Sequence, residues 1–502
     1  MKQKKFILVI DCGTTYCKAI IFNHQKELVF EEKLKINQYY LNNNWVEQDP
    51  IEIWNTIKTL LLNIVNKNNI DVENILSIGI TNQRESVVIW DKNTGYPIYN
   101  VILWQDQRTN KYCQILKKNQ RLIKLIQNKT GLILNSYFSA TKVKWLLDNV
   151  ISKEKNSNKT FLFGTIDTWI LYNLTNKKSY FTDVTNASRT MLFDIKKLSW
   201  DDKLMEIFSI KNISFPKVLN SSDFFGTCNS LLFSKQEREI PITAMVGDQQ
   251  AALFGACCFE MGEVKITYGT GAFILVNLKH NLIYSKHNLL TSVAAKFNDE
   301  INYVLEGSIF FAGLTLEWIV DKLKLLENYE ISSKDINWKN INNFIYLVPG
   351  FNGIGAPHWD DLATATIFNL SLTTRKEDFL LAGYNSIAFQ CLDIINAIKS
   401  DVNFEIKEII ANGGIAKTDY LLKFQAEISN IIVKKMQNIE LSGLGCAFLS
   451  GLYVKFWNNL NELKNNIKVD KIFLPTKQNL IIKKKCYQNW KKSVKRSLNW
   501  KN

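Results

Sequence analysis

Two segments of this chain, about half a chain apart, share one strand–turn–strand pattern. The first is Phe6–Phe22, which turns at Asp11–Thr15, and the second is Val264–Val276, which turns at Tyr268–Gly271. Each turn combines glycine with hydroxyl side chains, so its N–H and O–H groups can approach and bind phosphate oxygens. One such unit alone would be read as an ordinary hairpin. The repetition predicts two related halves that face one ligand.

A third segment, Ile242–Gly255, predicts a buried strand that turns at Gly247 and leads into a helix. An aspartate at this point lies at the carboxyl end of a strand, where open α/β sheets carry their chemistry. Asp248 can accept a proton from a substrate hydroxyl, and Gln249 can donate and accept hydrogen bonds beside it. The alternative is that Asp248 only caps the helix.

The composition excludes several classes of protein. A chain of 502 residues, with 46% hydrophobic and 22% charged residues, predicts a globular protein of two or more domains. No apolar run is long enough to cross a bilayer, so we expect no membrane span. The nine cysteines form no CxxC pair, and the four histidines lie far apart. This pattern predicts reduced thiols in a cytoplasm, without a disulfide framework or a zinc site.

The net charge of +15 would suit a nucleic acid or an anionic membrane as partner. The lysines are spread along the chain, however, and the one dense basic segment is Lys483–Lys501. Trp490, Val494 and Leu498 recur there at helical spacing. We therefore expect a terminal helix that docks by this apolar stripe, and no nucleic-acid partner.

A fourth segment predicts a nucleotide site. Ile409–Asn412 has the residues of a strand, Gly413 and Gly414 follow it, and Tyr420–Ile428 is helical. A helix N-terminus offers free N–H groups and the positive end of its dipole to a phosphate. No glycine of the chain is followed by lysine, so a Walker loop is absent and hairpin turns would have to bind the phosphates.

Charged residues near predicted strand ends are further candidates. Arg84 and Glu85 follow the strand-like run Ile75–Ile80, and together they can donate to and accept from hydroxyl groups, although a surface ion pair would look the same. Glu306 and Asp401 could in principle be paired carboxylates for glycoside hydrolysis. Nothing in the sequence fixes their separation, so we assign them no role.

Taken together, these segments resemble the glycerol kinase branch of the FGGY carbohydrate kinases, nearly end to end. The matching motifs are DCGTT, NWVEQDP, ITNQRES, TGYPIYNVILWQ, YFSATKVKWLLD, TDVTNASRTMLFDI, GDQQAALFG, YGTGAF, LEGSIFFAG, GIGAPHWD, NGG and FWNNLNEL. The resemblance implies an α/β fold of two actin-like (ribonuclease H-like) domains with an interdomain cleft. We place these domains at residues 1–252, for glycerol and phosphate, and 253–502, for the nucleotide.

The resemblance also implies the reaction, which is ATP-dependent phosphorylation of glycerol to sn-glycerol 3-phosphate, with Mg²⁺. This product would feed glycerol use and phospholipid precursor supply. By the resemblance, Asp248 is the general base, and Asp11 and Asp248 hold the metal ion. The implied substrate-binding residues are Arg84, Glu85, Trp104, Tyr137, Asp248, Gln249 and Phe273. The implied nucleotide-binding residues are Thr14, Thr15, Tyr16, Lys18, Thr270, Gly313, Glu317, Gly414 and Thr418.

The chain departs from the usual residues of the family at Tyr16, Lys18, Glu317 and Thr418, all beside the expected nucleotide. Glu317 in particular places an anion there. The family also implies a cytoplasmic homodimer or homotetramer. Three rival functions remain open: a kinase for a pentulose or another polyol, a nonenzymatic actin-like nucleotide binder, and an actin-like polymerising protein.

Overall fold

The computed structural model describes residues 5–42, 44–153, 160–331, 336, 344–437, 440–465 and 468–501. Its helices are α1 (Pro50–Lys67), α2 (Asn110–Lys117), α3 (Gln120–Thr130), α4 (Ser139–Asn149), α5 (Ile166–Leu174), α6 (Val184–Ala187), α7 (Asp202–Ile207), α8 (Asp248–Gly255), α9 (Gly313–Glu317), α10 (Lys376–Asp401), α11 (Asp419–Ser429), α12 (Leu441–Tyr453), α13 (Leu460–Lys464) and α14 (Leu480–Ser497).

The strands of the first half are β1 (Phe6–Cys12), β2 (Tyr16–Asn23), β3 (Leu28–Lys35), β4 (Tyr39–Leu41), β5 (Trp45–Gln48), β6 (Ile75–Asn82), β7 (Val88–Asp91), β8 (Val101–Ile102), β9 (Phe161–Gly164), β10 (Phe181–Asp183), β11 (Phe193–Asp194), β12 (Ser199–Trp200), β13 (Ile213–Ser214), β14 (Lys217–Leu219), β15 (Ser222–Asn229) and β16 (Glu239–Gly247). Those of the second half are β17 (Val264–Tyr268), β18 (Ala272–Lys279), β19 (Leu290–Phe297), β20 (Glu300–Ile309), β21 (Tyr346–Val348), β22 (Thr366–Phe368), β23 (Glu408–Asn412), β24 (Ile432–Met436) and β25 (Val469–Phe473).

Each half is built on one large mixed sheet. The first sheet has the order β15-β16-β6-β1-β2-β3, in which β1 pairs antiparallel with β2 and parallel with β6, and β6 pairs parallel with β16. The parallel strands β1, β6 and β16 are mostly apolar and buried, as is usual where helices cover both faces of a sheet that contains parallel strands. The strand Ile242–Gly247 and the helix after it, expected from the sequence, are β16 and α8.

The second sheet repeats this arrangement. Its order is β19-β20-β18-β17-β23-β24-β25. β17 pairs antiparallel with β18 and parallel with β23, and β23 pairs parallel with β24, as do their counterparts in the first sheet. Apart from the additional edge strand β19, the two sheets match strand for strand, which confirms the predicted internal repetition. The domain boundary at 252/253 stays a prediction.

Two helices join the halves. α12 lies in the second half of the sequence but packs on β1, β6 and β16 of the first sheet, and it crosses α8 closely. A Cβ added at Gly445 of α12 would lie 1.8 Å from the carbonyl oxygen of Ala251, and one added at Gly255 of α8 would lie 2.1 Å from that of Leu441. Only glycine permits this approach, so the crossing fixes how the two sheets meet.

The basic C-terminal segment is a docked helix, as expected. Trp490 and Val494 of α14 are buried, and the Trp490 ring stacks on Phe389 with its centroid 5.4 Å away. The Trp490 indole N–H donates to Asp393 Oδ2 over 2.8 Å. Lys491 and Lys495 remain on the exposed face, whereas Lys483 is buried and forms an ion pair with Glu427.

All nine cysteines are free and buried, as expected for reduced thiols. No helix in the described ranges is long and apolar enough to cross a bilayer.

Candidate active site

Five predicted segments converge where the parallel strands of the two sheets end. β1, β6 and β16 are adjacent in the first sheet and point the same way, so their carboxyl ends lie together. The same holds for β17 and β23 in the second sheet. Each of these five strand ends carries one of the sequence motifs that predicted ligand binding. The crevice at such ends is the usual ligand site of open α/β sheets.

Asp248 is the first residue of α8 and does not cap it, because the N-cap position belongs to Gly247. One carboxylate oxygen, Oδ1, lies 3.2 Å from Arg84 Nε and accepts the backbone N–H of Gln249 over 2.8 Å. The other oxygen, Oδ2, accepts the side-chain amide of Gln249 over 3.1 Å. The Asp248 side chain retains 26% exposure, so its carboxylate is held in place but is still open to a ligand.

Arg84 and Glu85 follow β6 in a tight turn. Ser86 N donates to the carbonyl oxygen of Arg84 over 2.8 Å, and Glu85 lies in the left-handed region with φ 64°. That conformation costs on the order of 1 kcal/mol for a residue with a Cβ atom. Ser139 Oγ, from α4, donates to the carbonyl oxygen of Glu85 over 2.9 Å and holds the turn. A Cβ at Gly247 would lie 2.8 Å from Arg84 Cγ, so glycine leaves room for this arginine.

A buried cluster of four charges, which we call the charge tetrad, surrounds this turn: Arg84, Glu85, Arg189 and Glu306. Arg84 donates twice to Glu306, over 2.6 and 3.0 Å. Arg189 donates to Glu85 over 2.5 Å and to Glu306 over 3.1 Å. All four side chains are at most 3% exposed. The tetrad joins β20 of the second sheet to segments of the first half.

The two carboxylates of the tetrad differ in pKa. Burial tends to raise both, but Arg189 and Arg84 act on Glu306 strongly enough to lower its pKa to about 2. Arg189 and Arg84 also lower the pKa of Glu85. Burial and the negative charge of Glu306 outweigh them, so the pKa of Glu85 is raised. The difference follows from the geometry, because Glu306 accepts from two guanidinium groups and Glu85 from one.

Aromatic rings form a wall beside the tetrad. The Trp104 ring lies edge-on to Tyr137, 5.5 Å away, and to Phe273, 6.4 Å away. Burial, followed by the charge of Glu85, raises the pKa of Tyr137, so its phenol stays protonated and can donate. The guanidinium carbon of Arg84 lies 5.8 Å from the Phe273 ring. All the predicted substrate-binding residues therefore meet at one place.

The β1–β2 turn lies next to this wall. Trp104 Nε1 donates to Thr14 Oγ1 over 2.9 Å, and the Thr15 carbonyl oxygen accepts from Ile36 N over 3.0 Å. The Tyr16 ring points outward, 38% exposed, with Lys33 Nζ 3.8 Å from its centroid. Of the predicted phosphate-binding residues of this turn, Thr14 thus contacts the aromatic wall through its hydroxyl group, and Tyr16 extends its ring into solvent.

Lys18 lies on β2 just behind the turn. Its ammonium group forms an ion pair with Glu440 and a longer one with Glu31 at 3.5 Å. Burial lowers the pKa of Lys18, but Glu440 and Asp11 raise it further, so the net shift is upward. Two carboxylates of this chain therefore already neutralise Lys18, which limits the charge it can offer to a phosphate.

The predicted nucleotide residues lie on the second sheet. The Thr270 carbonyl oxygen, in the β17–β18 turn, accepts from Ala312 N over 3.0 Å, and Gly313 N donates to Gly269 O over 3.0 Å. This turn therefore packs against the start of α9. At Gly414, after β23, an added Cβ would have no heavy atom within 4 Å. The space beside Gly414 is open.

Two other predicted nucleotide-binding residues lie at helix ends of the second half. Thr418 precedes α11, and its Oγ1 lies 3.3 Å from the Tyr384 hydroxyl group. Glu317, at the end of α9, is mostly exposed, and partial burial, followed by the negative charge of Asp321, raises its pKa. The Tyr384 hydroxyl donates in turn to the carbonyl oxygen of Tyr329 over 3.0 Å.

The donor set fits Mg²⁺, which favours one or two carboxylates and completes its shell with waters and phosphate oxygens. Asp11, the residue before the last one of β1, lies close enough to Asp248 that the two carboxylates interact electrostatically. Burial, helped by Glu440 and Asp248 and opposed by Lys18, raises the pKa of Asp11 to about 7. A cation would relieve this unfavourable burial. No cluster of three or more potential metal ligands occurs among the described residues.

Sequence reasoning missed three charged residues of the site: Arg189, Lys265 and Glu306. Arg189 lies within the motif TDVTNASRTMLFDI, where nothing in the neighbouring sequence indicates its role. Glu306 was considered only as a partner of Asp401, but Asp401 instead pairs with His287 over 2.7 Å. Lys265 interrupts the strand VKITY, and a single lysine in a strand usually marks the solvent side. Here the strand is central, and Lys265 is fully buried.

Two ribonuclease H-like halves, with a carboxylate and turns that contain glycine and threonine at the strand ends between them, define a phosphotransferase for a small hydroxylated acceptor. The sequence matches the FGGY family of carbohydrate kinases in both of its parts, the N-terminal domain over residues 6–255 and the C-terminal domain over 264–452. The chain belongs to this family.

Several proteins and solved structures resemble this chain over nearly its whole length. The chain is 43% identical to a glycerol kinase of Mycoplasmopsis pulmonis, covering 99% of this chain and 98% of the relative, and 42% identical to one of Streptococcus sanguinis over the same shares. The crystal structure of Plasmodium falciparum glycerol kinase with ADP superposes with a TM-score of 0.87 at 35% identity, covering 99% of this chain and 98% of that one. A xylulose kinase from Lactobacillus acidophilus shares the fold at 19% identity, with a TM-score of 0.84 and 98% coverage of both chains.

Proposed function

We propose that the protein transfers the γ-phosphoryl group of ATP to a terminal hydroxyl of glycerol, giving sn-glycerol 3-phosphate and ADP. The observation that carries this proposal is the Asp248 carboxylate, which Arg84 and Gln249 hold at the strand end between the acceptor wall and the nucleotide turns. The relatives from Mycoplasmopsis pulmonis and Streptococcus sanguinis, 43% and 42% identical over nearly the whole of both chains, are glycerol kinases, which supports glycerol as the acceptor.

The acceptor site suits a three-carbon polyol. Arg84 and the protonated Tyr137 phenol are donors, Glu85 is an acceptor, and Gln249 can be either, which matches a molecule rich in hydroxyl groups. Trp104 and Phe273 offer an apolar surface for the carbon skeleton. A site lined in this way holds the acceptor hydroxyl in a fixed orientation, and such positioning supplies much of the rate in phosphoryl transfer.

Asp248 is the general base of the proposed reaction. It accepts the proton of the terminal hydroxyl as the hydroxyl oxygen bonds to the γ-phosphorus, and the bond from that phosphorus to the β,γ-bridging oxygen breaks. Arg84 remains in contact with Oδ1 of Asp248 during this step. Asp11 and Asp248 would hold Mg²⁺, which supplies neutralisation of the phosphate charge when it is bound.

The nucleotide side of the proposal uses backbone and hydroxyl groups. Thr14, Thr15 and Tyr16 line the phosphates from the first sheet, with Lys18 behind them. The remaining contacts come from the second sheet: Thr270, Gly313, Glu317, Gly414 and Thr418. The open space at Gly414 supports this assignment, because a phosphate or ribose needs close access to backbone N–H groups.

We further propose roles for the two domains, a cytoplasmic location and an oligomeric state. The first domain, 1–252, would bind glycerol and phosphate, and the second, 253–502, the nucleotide. Nine free buried cysteines suit a reducing cytoplasm. A homodimer or homotetramer is the assembly we expect, as is usual for the family.

The test is glycerol-dependent conversion of ATP to ADP with Mg²⁺ by the wild-type protein and by Asp248→Asn. We expect turnover that falls about 10³-fold in the variant, since general bases contribute 10² to 10⁴, while ADP binding measured by calorimetry is retained. A ketopentose phosphorylated faster than glycerol would replace the acceptor. ATP binding without turnover of any polyol or ketose would contradict the assignment as a kinase.

A further inference from the structure

Lys265 is a buried lysine that takes no part in the proposed proton and phosphoryl transfer. It lies on β17, the central strand of the second sheet, and has no exposed surface. Its ammonium group donates to Gln249 Oε1 over 2.9 Å and to Thr267 Oγ1 over 2.7 Å. Both acceptors are neutral oxygens. Buried lysines are rare and are usually paired with a carboxylate, so this one needs an explanation.

The contact with Gln249 settles how its carboxamide is oriented. Lys265 Nζ donates to the oxygen Oε1, and in its protonated form it has no lone pair with which to accept from the nitrogen Nε2. The nitrogen then faces the carboxylate of Asp248, where Nε2 donates to Oδ2 over 3.1 Å. A carboxamide turned the other way would place its oxygen against the carboxylate, and the hydrogen bond would be lost.

The other contact anchors the lysine. Thr267 Oγ1 accepts from Lys265 and donates to Asn412 Oδ1 over 2.9 Å. Asn412 ends β23 directly before the open glycine turn. The ammonium group is thus fixed between two strands of the sheet and cannot follow Gln249 if the carboxamide rotates.

We infer that Lys265 is a positioning residue for phosphoryl transfer, which holds the Gln249 carboxamide in the orientation that donates to Asp248 and so fixes the catalytic carboxylate. The inference rests on the proposed function, in which Asp248 is the base. It assigns to Lys265 no contact with substrate and no transfer of a proton.

The cost of burying this lysine supports a functional role. Burial lowers the pKa of Lys265 to about 7, although Asp248 and Glu306 act to raise it. A buried cation with so large a shift is usually less stable than an apolar side chain of the same volume. Lys265→Met should therefore keep or raise the melting temperature, whereas loss of a purely structural side chain would lower it.

The test is a double-mutant cycle between Lys265→Met and Gln249→Leu, with glycerol as acceptor. We expect Lys265→Met to lower kcat about 10- to 100-fold, as for a misplaced catalytic group, with the KM for ATP changed less than threefold. In the Gln249→Leu background the same substitution should cost less than about threefold, because Lys265 acts through Gln249. The control is Thr267→Val, which removes the anchor but leaves the contact with Gln249, and it should lower kcat less than Lys265→Met does.

Equal costs of Lys265→Met in both backgrounds, or a melting temperature that falls together with kcat, would overturn the inference. A wild-type protein inactive on glycerol would overturn the proposed acceptor instead. The cycle would then be run with whichever polyol or ketose the wild-type protein does phosphorylate, and the same two outcomes would decide it.

Discussion

The acceptor side of the cleft and the nucleotide side are filled in different ways. On the acceptor side, charged side chains lie against one another with almost no exposure, as Arg84 and Glu306 do. On the nucleotide side, the features that matter are bare backbone and space, as at Gly414, where a Cβ would meet nothing. The difference indicates that the acceptor is selected by fixed charges and hydrogen bonds. The nucleotide is accommodated by room and by backbone N–H groups.

This contrast predicts opposite sensitivities. Removing one charge on the acceptor side leaves another charge buried without its partner, which is costly. Removing a side chain at the rim of the nucleotide side costs little, but adding atoms there obstructs the ligand. Five substitutions separate the two sides, from Glu306→Gln with the largest expected effect to Glu317→Gln with the smallest.

Glu306→Gln should have the largest effect. It leaves the buried Arg84 and Arg189 without a shared carboxylate, and breaking a buried pair costs about 3–5 kcal/mol of stability. The KM for glycerol should rise, because Arg84 is no longer held. The matched control is Glu408→Gln, which removes a half-exposed ion pair with Lys434 on the same sheet and should cost at most about 1 kcal/mol. Melting temperatures of the two variants, measured side by side, check the difference.

The pH dependence sharpens this prediction. The arginines lower the pKa of Glu306 from 4.5 to about 2 despite its burial. A carboxyl with a depressed folded-state pKa stabilises the fold above its unfolded pKa, and the contribution is lost as the pH falls through the folded value. The wild-type melting temperature should therefore fall more steeply between pH 4.5 and pH 2 than that of Glu306→Gln. Parallel curves would mean that the tetrad does not hold Glu306 ionised.

Asp11→Asn should separate stability from activity. Burial raises the pKa of Asp11 from 3.8 to about 7, so the charged form is disfavoured in the fold. A group with a raised folded-state pKa stabilises the fold below its unfolded value and loses that contribution as the pH rises through the folded value. At pH 8 the amide should thus raise the free energy of unfolding, by at most about 4 kcal/mol.

The same variant should lose about 10²- to 10³-fold in kcat with Mg²⁺, as expected when a group that holds the charge-neutralising ion is removed. Chelation with EDTA should abolish wild-type turnover, and addition of excess Mg²⁺ should restore it. An Asp11→Asn protein that is less stable at pH 8 than the wild type would contradict the origin assigned to this pKa.

The contrast between the two sides also explains what the sequence could predict. Strand ends were visible because an apolar run followed by Gly, Asp or Thr is a local pattern, and Asp248 was found in this way. The tetrad was not, because its partners are far apart in sequence: Glu306 pairs with Arg84, 222 residues away. A glutamate inside a strand has no local feature that distinguishes a buried ion pair from a solvent-facing side chain.

The family resemblance filled part of this gap and left part open. It assigned Arg84 and Glu85 their roles but gave none to Lys265, whose importance follows from the central position of β17 and its two hydrogen bonds. The orientation of Lys18 was also beyond the sequence, since its partner Glu440 comes from the other end of the chain. Packing between distant segments decides such contacts.

Two adjacent glycines test the nucleotide side. Gly413 has φ 99°, and a Cβ there would lie 2.4 Å from the Tyr268 carbonyl oxygen, whereas Gly414 has open space. Gly413→Ala should lower the melting temperature, because its backbone conformation is strained for alanine. Gly414→Ala should leave stability within about 0.5 kcal/mol but raise the KM for ATP roughly tenfold, or about 1.4 kcal/mol. Equal effects of both on stability would mean that the space at Gly414 is not kept for a ligand.

Glu317→Gln should have the smallest effect and the opposite sign. Glu317 is exposed at the end of α9, and in the proposed function it faces a polyanionic nucleotide. Neutralising one exposed like charge is worth about 0.2–1 kcal/mol, so affinity for ATP should improve up to about fivefold at low salt and less at high salt. The control is Glu260→Gln, another exposed glutamate, paired with Lys279. ATP titrations at two ionic strengths check the effect. Weaker binding by Glu317→Gln would mean that the carboxylate accepts hydrogen bonds from the ribose, and the nucleotide side would then also select by side chain.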